Sequence, residues 1–226
     1  LKQKIIKLTP CSISLLSFKD IMKVGGGGLI NSITIAGTVA VVTAAVSKHG
    51  VEALAGYGLG SRLEIIITPL VFGIGSVLTA SVGINVGAQQ LPRAKMIAWT
   101  GAFISFCVVG LLGATVTIFP DIWLNNFESS SLIRDYATSY LIIVAPFYCF
   151  FAAGQTLYFA SQGLGKIFYP VIVGIIRLLS VSIICYYVTI YDLSLKFVFY
   201  GVSFGLLATG LGLWMCMLGP DWKKQI

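Results

Sequence analysis

Residues 54–99 read LAGYGLGSRLEIIITPLVFGIGSVLTASVGINVGAQQLPRAKMIAW, and their pattern decides the fold. From Ile65 to Val86 there are 22 residues without a charge. At a rise of ~1.5 Å per residue that makes about 33 Å of helix, enough to cross the hydrocarbon core of a bilayer. The two flanks differ. Arg62 and Glu64 sit where the apolar run begins, whereas Gly87 and Pro92 end it and open a basic loop with Arg93 and Lys95. Pro69 has no N–H to donate and its ring displaces the carbonyl of Ile65, so the sequence predicts a bend beside Glu64. A carboxylate next to such a bend is suited to lining a cavity.

The same kind of run recurs to either side. Charge-poor stretches at 25–46, 64–86, 96–119, 138–162, 169–190 and 197–218 predict six transmembrane helices and an all-α integral membrane fold. Residues 1–23, with Lys2, Lys4, Lys7, Lys19 and Lys23, read as a basic cytoplasmic connector, and residues 219–226, with Trp222, Lys223 and Lys224, as a cytoplasmic tail. Gly25–Gly28 open the first span, and the favoured reading of four poor helix formers in a row is a close backbone crossing. Residues 51–61 are amphipathic enough to lengthen the second helix. Residues 120–137 form a polar connector with a short surface helix, in which Trp123 and Phe127 anchor at the interface. Gly201 and Gly205 have the spacing of a helix-packing face.

Composition agrees. Of 226 residues 57% are hydrophobic and 10% charged, and the mean hydropathy is +0.94, more apolar surface than a water-soluble core can absorb. The formal charge of +7 comes from 15 Lys and Arg scattered over loops, which fits membrane topology and not a nucleic-acid partner. With six spans, ten of these fall on one side and three, Lys48, Arg134 and Lys196, on the other. The positive-inside rule then places both termini in the cytoplasm of a multi-pass protein of the inner (plasma) membrane. No secretory signal peptide is evident. The five cysteines show no CxxC pair and read as small hydrophobes, and His49 reads as a solvated loop residue. Metal-ligand spacing is absent.

Catalytic constellations are absent as well. A single histidine builds no Ser/His/Asp set, and the glycine-rich loops lack a Lys-Ser/Thr partner for a nucleotide, so the sequence does not read as an enzyme. The charges inside the spans are Arg62, Glu64 and Arg177, and intramembrane charge is costly enough to mark function. Glu64 is the candidate to exchange a proton or a sodium ion, the alternative being a structural ion pair with Arg177 or an interfacial charge. Arg62 and Arg177 are the candidate buried charge network. Positions two apart on a helix point to different sides, so Arg62 does not face Glu64 from its own helix; it pairs across helices or snorkels outward. Arg177 lies deep in the fifth span and needs a carboxylate, helix-end carbonyls or an anionic ligand. In the fourth span Tyr148, Gln155, Tyr158 and Gln162 share one side, and in the first Asn31, Thr34 and Thr38 do. Lipid penalises Gln155, so its face points into protein or a water-filled cleft.

The runs AGYGLGSRLE (55–64), PLVFGIG (69–75) and VGINVGAQQLPRAKMIAWTG (82–101), with YFASQG (158–163) and Ile176-Arg177-Leu178 following in order, resemble the second half of the multidrug and toxic compound extrusion (MATE) transporters. The resemblance implies one six-helix lobe of a two-lobe antiporter that exports drugs or small organic metabolites against a proton or sodium gradient. Its implied partners are the bilayer, a cationic small molecule, and an N-terminal lobe or second copy; no cofactor is implied beyond the coupling ion. Some members carry the coupling carboxylates on the first and fourth helices of this lobe. Here those regions hold Ile35 and Ala153 without acidic neighbours, which moves the coupling role to Glu64 or to the other lobe. Asn31, Tyr148, Gln155 and Tyr158 are then expected to line the substrate cleft. The first residue is Leu, which with a resemblance limited to one half suggests a partial chain, a half-size protein being the alternative. Two other readings stay open, a lipid-linked oligosaccharide flippase of the same superfamily and a non-transporting helical membrane subunit.

Overall fold

Six helical spans, one of them made of two helices joined by a short turn, are long and apolar enough to cross a membrane, and the residues between them supply the punctuation. A computed structural model of the chain describes residues 15–219 and 222. The expectations for Lys2, Lys4, Lys7, Lys223 and Lys224 lie outside the described residues. In order come α1 (Leu15–Ser47), α2 (Val51–Gly87), α3 (Leu91–Ile118), a short α4 (Asp121–Leu124), α5 (Ser131–Val144), α6 (Tyr148–Gly163), α7 (Phe168–Ile190) and α8 (Leu195–Leu218). A 3-10 turn, Ala145–Phe147, joins α5 to α6 at Pro146, whose missing N–H cannot continue the α-helical ladder. The described residues contain no strand.

The helix boundaries have local reasons. The first membrane span, Val24–Ser47, falls where expected, and the helix that carries it is already formed at Leu15, where the described residues start, inside the stretch read as connector. Within the glycine run at 25–28, a side chain at Gly27 would strike Ile167, while Gly25 and Gly26 face open space. The close crossing is thus confined to part of the run. The fourth span begins at Ser131, because the Ser130 hydroxyl accepts from the Ile133 N–H and caps α5 earlier than hydropathy alone indicates. α2 runs unbroken from Val51 through Pro69.

α5 and α6 form the centre of the bundle. Over the fourth span's most apolar window 56% of residues are buried, more than in any other span. α6 packs against α2, α3 and α8; α5 packs against α2; and α1 reaches the bundle mainly through α7. Two apolar clusters stack along the bundle. One gathers Val42, Val46, Ile67, Val71, Tyr140, Val144 and Phe199, and the other Val82, Ala94, Ala98, Leu157, Ala160, Leu213 and Trp222. Many large apolar side chains point outward, among them Ile65, Ile84, Phe103, Leu111 and Met215. Water would penalise that surface and a bilayer does not.

Candidate functional site

Glu64 sits on α2 where the helix passes α5 and α6. The Tyr140 hydroxyl donates to Glu64 Oε1, and the Tyr148 hydroxyl donates to the same oxygen at 3.2 Å. Among the described residues nothing donates to Oε2. Tyr140 is aimed by its surroundings: its ring meets Tyr57 edge-on at 5.3 Å and Phe199 at 5.1 Å. Gly60, one turn before Glu64, makes the approach possible, since a Cβ there would lie 2.5 Å from Tyr140 Cδ1. Sequence, aromatic packing and hydrogen bonding thus converge on one carboxylate.

That carboxylate faces an internal cavity of about 90 Å³. Its wall is built by Ile35, Thr38, Val39 and Val42 of α1, Tyr57, Ile67 and Thr68 of α2, Tyr140, Tyr148 and Phe151 of the central helices, Arg177 and Val181 of α7, and Val202, Gly205 and Leu206 of α8. Thr38 and Thr68 bond carbonyls of their own helices, Thr34 O and Glu64 O, at 2.7 Å each. Beyond Glu64 a groove of about 730 Å³ opens between α1 and α2, sharing Ile35, Val39, Tyr57, Glu64 and Thr68 with the cavity and adding Thr43, Ser61 and Pro69. Glu64 stands at the junction of the two spaces.

Arg177 closes the cavity from the α7 side and is only 4% exposed. Its stem passes α8 at Gly205, where a Cβ would lie 3.4 Å from Arg177 Cγ and 2.6 Å from Val181 Cγ2. Among the described residues the one ion pair within 4.0 Å is Arg134–Asp121, at 2.6 Å on the surface, so Arg177 and Glu64 share a wall without touching. Arg177 Nε and Nη2 are buried with no hydrogen-bond partner.

The remaining candidates separate. Arg62 does not belong to a buried network. It is exposed, with its guanidinium 5.5 Å over the Phe127 ring, because two residues along α2 turn it to the side opposite Glu64. Phe127 in turn stacks edge-on with Trp123, whose indole N–H donates to Leu59 O at 3.0 Å. Of the stripe on α6 only Tyr148 reaches the cavity wall. Tyr158 donates to Gly27 O at 3.1 Å, and Gln155 is buried at 1% exposure with Nε2 unpaired, away from the cavity lining. The reason is length. The stripe from Tyr148 to Tyr158 covers about 15 Å of a helix surrounded by protein, so one face meets different neighbours at different depths. Asn31 is buried at the α1–α7 crossing beside Gly174 and does not line the cavity either. Tyr140 and Tyr57 are the site residues that the sequence reading missed. Tyr140 lies two turns before Tyr148, but a tyrosine near the head of a span reads equally well as an interfacial anchor.

Six membrane-length helical spans, with one carboxylate and one guanidinium on the wall of a cavity among them, define the class: a multi-pass membrane protein. The chain belongs to the MATE family; the MatE family model matches residues 29–188. Members of this family are transporters, not enzymes. Among relatives, a FAD transporter of Shewanella oneidensis is 29% identical over 122 residues, which cover 52% of this chain and 27% of that protein. A probable multidrug resistance protein NorM of Thermotoga maritima is 22% identical over 211 residues, 92% of this chain and 46% of that protein. The chain spans less than half the length of these curated relatives. The fold matches the MATE transporter ClbM solved with Rb+ at a TM-score of 0.83, with 21% identity over 92% of this chain and 49% of that one. It matches the Vibrio cholerae MATE transporter VcmN in its bent form at 0.79, with 16% identity over 90% of this chain and 47% of that one.

Proposed function

We propose that this chain is the second lobe of an antiporter of the inner membrane, with both its termini cytoplasmic, that exchanges a proton or a sodium ion for a small organic molecule. The reading is carried by Glu64, the one acidic side chain on the cavity wall, held through one oxygen by two tyrosine hydroxyls with the other oxygen left to receive an ion. A carboxylate in a protein-lined niche can bind a proton or a cation in alternation, as coupled exchange requires. The similarity to a probable multidrug resistance protein supports export as the direction. Alternating access needs a second lobe, supplied by an N-terminal half or by another copy of this chain. The lone Arg177 is too little positive charge for the pyrophosphate of a lipid-linked oligosaccharide, since Arg62 lies on the outside.

The test is Glu64→Gln in the full-length protein. The expected outcome is loss of proton-driven dye efflux with membrane expression intact. Efflux at the wild-type rate removes Glu64 from the mechanism.

A further inference from the structure

Charge is spread unevenly along the chain. By sequence, the end of the bundle that holds the start of α1, the α2–α3 loop, the α6–α7 turn and the C-terminus carries ten Lys and Arg against Asp20 and Asp221. The opposite end carries Lys48, Arg134 and Lys196 against five acids. At the basic end a groove of about 540 Å³ opens between α1 and the turn that joins α6 to α7. It shares no lining residue with the Glu64 cavity.

Local sequence fixes the two walls. Gly165 takes the left-handed conformation, φ 73°, so the Lys166 N–H returns to Ser161 O at 3.1 Å and the Gly165 N–H to Gln162 O at 2.9 Å. That closure ends α6 and sets Lys166 on the groove. On the other wall α1 is drawn in at Gly27: the Tyr158 hydroxyl donates to Gly27 O at 3.1 Å, and Ile167 fills the place of a side chain there. Gly26 also lines the groove, and a Cβ added to it would meet nothing within 4 Å.

The lining passes from charged to apolar. Lys166 has no carboxylate partner, since the one ion pair among the described residues is Arg134–Asp121. Lys19, two turns before Gly26, is exposed on the same side of α1. Exposed Tyr169 stands on the groove near Lys166, and tyrosine settles at the head-group level of a bilayer. Ile30 and Val171 follow, and one turn further along α1 and α7 come the exposed Ile33 and Ile175. A cation at the mouth and an apolar track leading toward the middle of the membrane fit an amphiphile with an anionic head. A soluble anion would leave the track unused. The chain's own lead-in, with Lys2, Lys4 and Lys7, would bring like charge to Lys166.

We infer that this groove is a docking site for an anionic phospholipid, with the phosphate at Lys166 and an acyl chain along Ile30 and Ile33. Basic pockets between membrane helices hold phospholipid head groups by the same attraction. The lipid ties the start of α1 to the turn ahead of α7, the helix through which α1 mainly reaches the bundle. The inference depends neither on Glu64 nor on the transport reading.

The experiment is native mass spectrometry of the delipidated full-length protein in detergent, titrated with phosphatidylglycerol or phosphatidylcholine of identical acyl chains. The first phosphatidylglycerol is expected to bind about fivefold tighter than the first phosphatidylcholine, the contribution of one lysine near an anionic head group. Lys166→Gln is expected to bring the two lipids within twofold of each other, and Lys166→Arg to keep the preference. Gly26→Leu, which fills the groove from a position with open space at Cβ, is expected to weaken the first phosphatidylglycerol at least fivefold. Arg93→Gln removes an exposed charge at the same end but off the groove and leaves the preference within twofold of wild type. A wild-type protein without the preference, a preference above twofold in Lys166→Gln, or an equal loss in Arg93→Gln overturns the inference. A first site weakened less than fivefold by Gly26→Leu overturns it too, and is the result expected if another part of the protein covers the groove. Displacement of the lipid by equimolar glycerol 3-phosphate assigns the site to a soluble phosphate and likewise overturns it.

Discussion

The two ends of the bundle are built from the same kinds of helix and do different things. Around Val82, Ala94, Ala98, Leu157, Ala160 and Leu213 the helices close on small and branched side chains. Around Tyr57, Ile67, Tyr140, Tyr148 and Val181 they stand off far enough to leave a cavity, and its wall carries one negative and one positive side chain. Density gives stability, and the gap holds chemistry at a cost in packing. Substitutions at the closed end should therefore move stability and leave the transport rate per folded molecule alone, while substitutions on the cavity wall should change transport as well as stability.

Four measurements sharpen or break that contrast. Leu157→Ala at the closed end removes a fully buried side chain and is expected to cost about 2–5 kcal/mol of stability, read as a lowered melting temperature in detergent, with unchanged efflux per folded molecule. A variant as stable as wild type would mean that this end is loosely packed. Tyr140→Phe at the open end deletes a hydrogen bond to the Glu64 carboxylate, an interaction worth about 1.5–3 kcal/mol. Its cost should shrink in a Glu64→Gln background, and a cycle of the two single and one double variant that shows no coupling would unlink the pair. Trp123→Phe loses the bond to Leu59 O at the outer rim and should cost about 1 kcal/mol, read as faster amide exchange in the first turns of α2. Arg62→Gln is the smallest change, about 0.5–1 kcal/mol from the contact with Phe127, with no effect on transport. A transport defect in that variant would return Arg62 to the site.

How much of this could be read beforehand follows from the physics of each signal. Helix count and location were legible because a charge-free run long enough to span a bilayer has few other structural uses. The start at Ser131 was not, because a cap such as Ser130 overrides a hydropathy window. Glu64 and Arg177 stood out because burying charge in apolar sequence is expensive. The hydroxyls that hold Glu64 did not, because whether Tyr140 or Tyr158 meets it depends on which neighbours α5 and α6 face at each depth. For Arg62, counting along the helix indicated the outward side, yet assigning it to a buried network assumed a partner from another helix; the Phe127 ring takes that place on the exterior.

Glu64 is tethered by a single atom. Because both tyrosines grip Oε1, an ion taken up at Oε2 in the proposed exchange would leave the side chain in its rotamer, like a door that swings without leaving its hinge. That exchange then asks for no rearrangement of the acid itself.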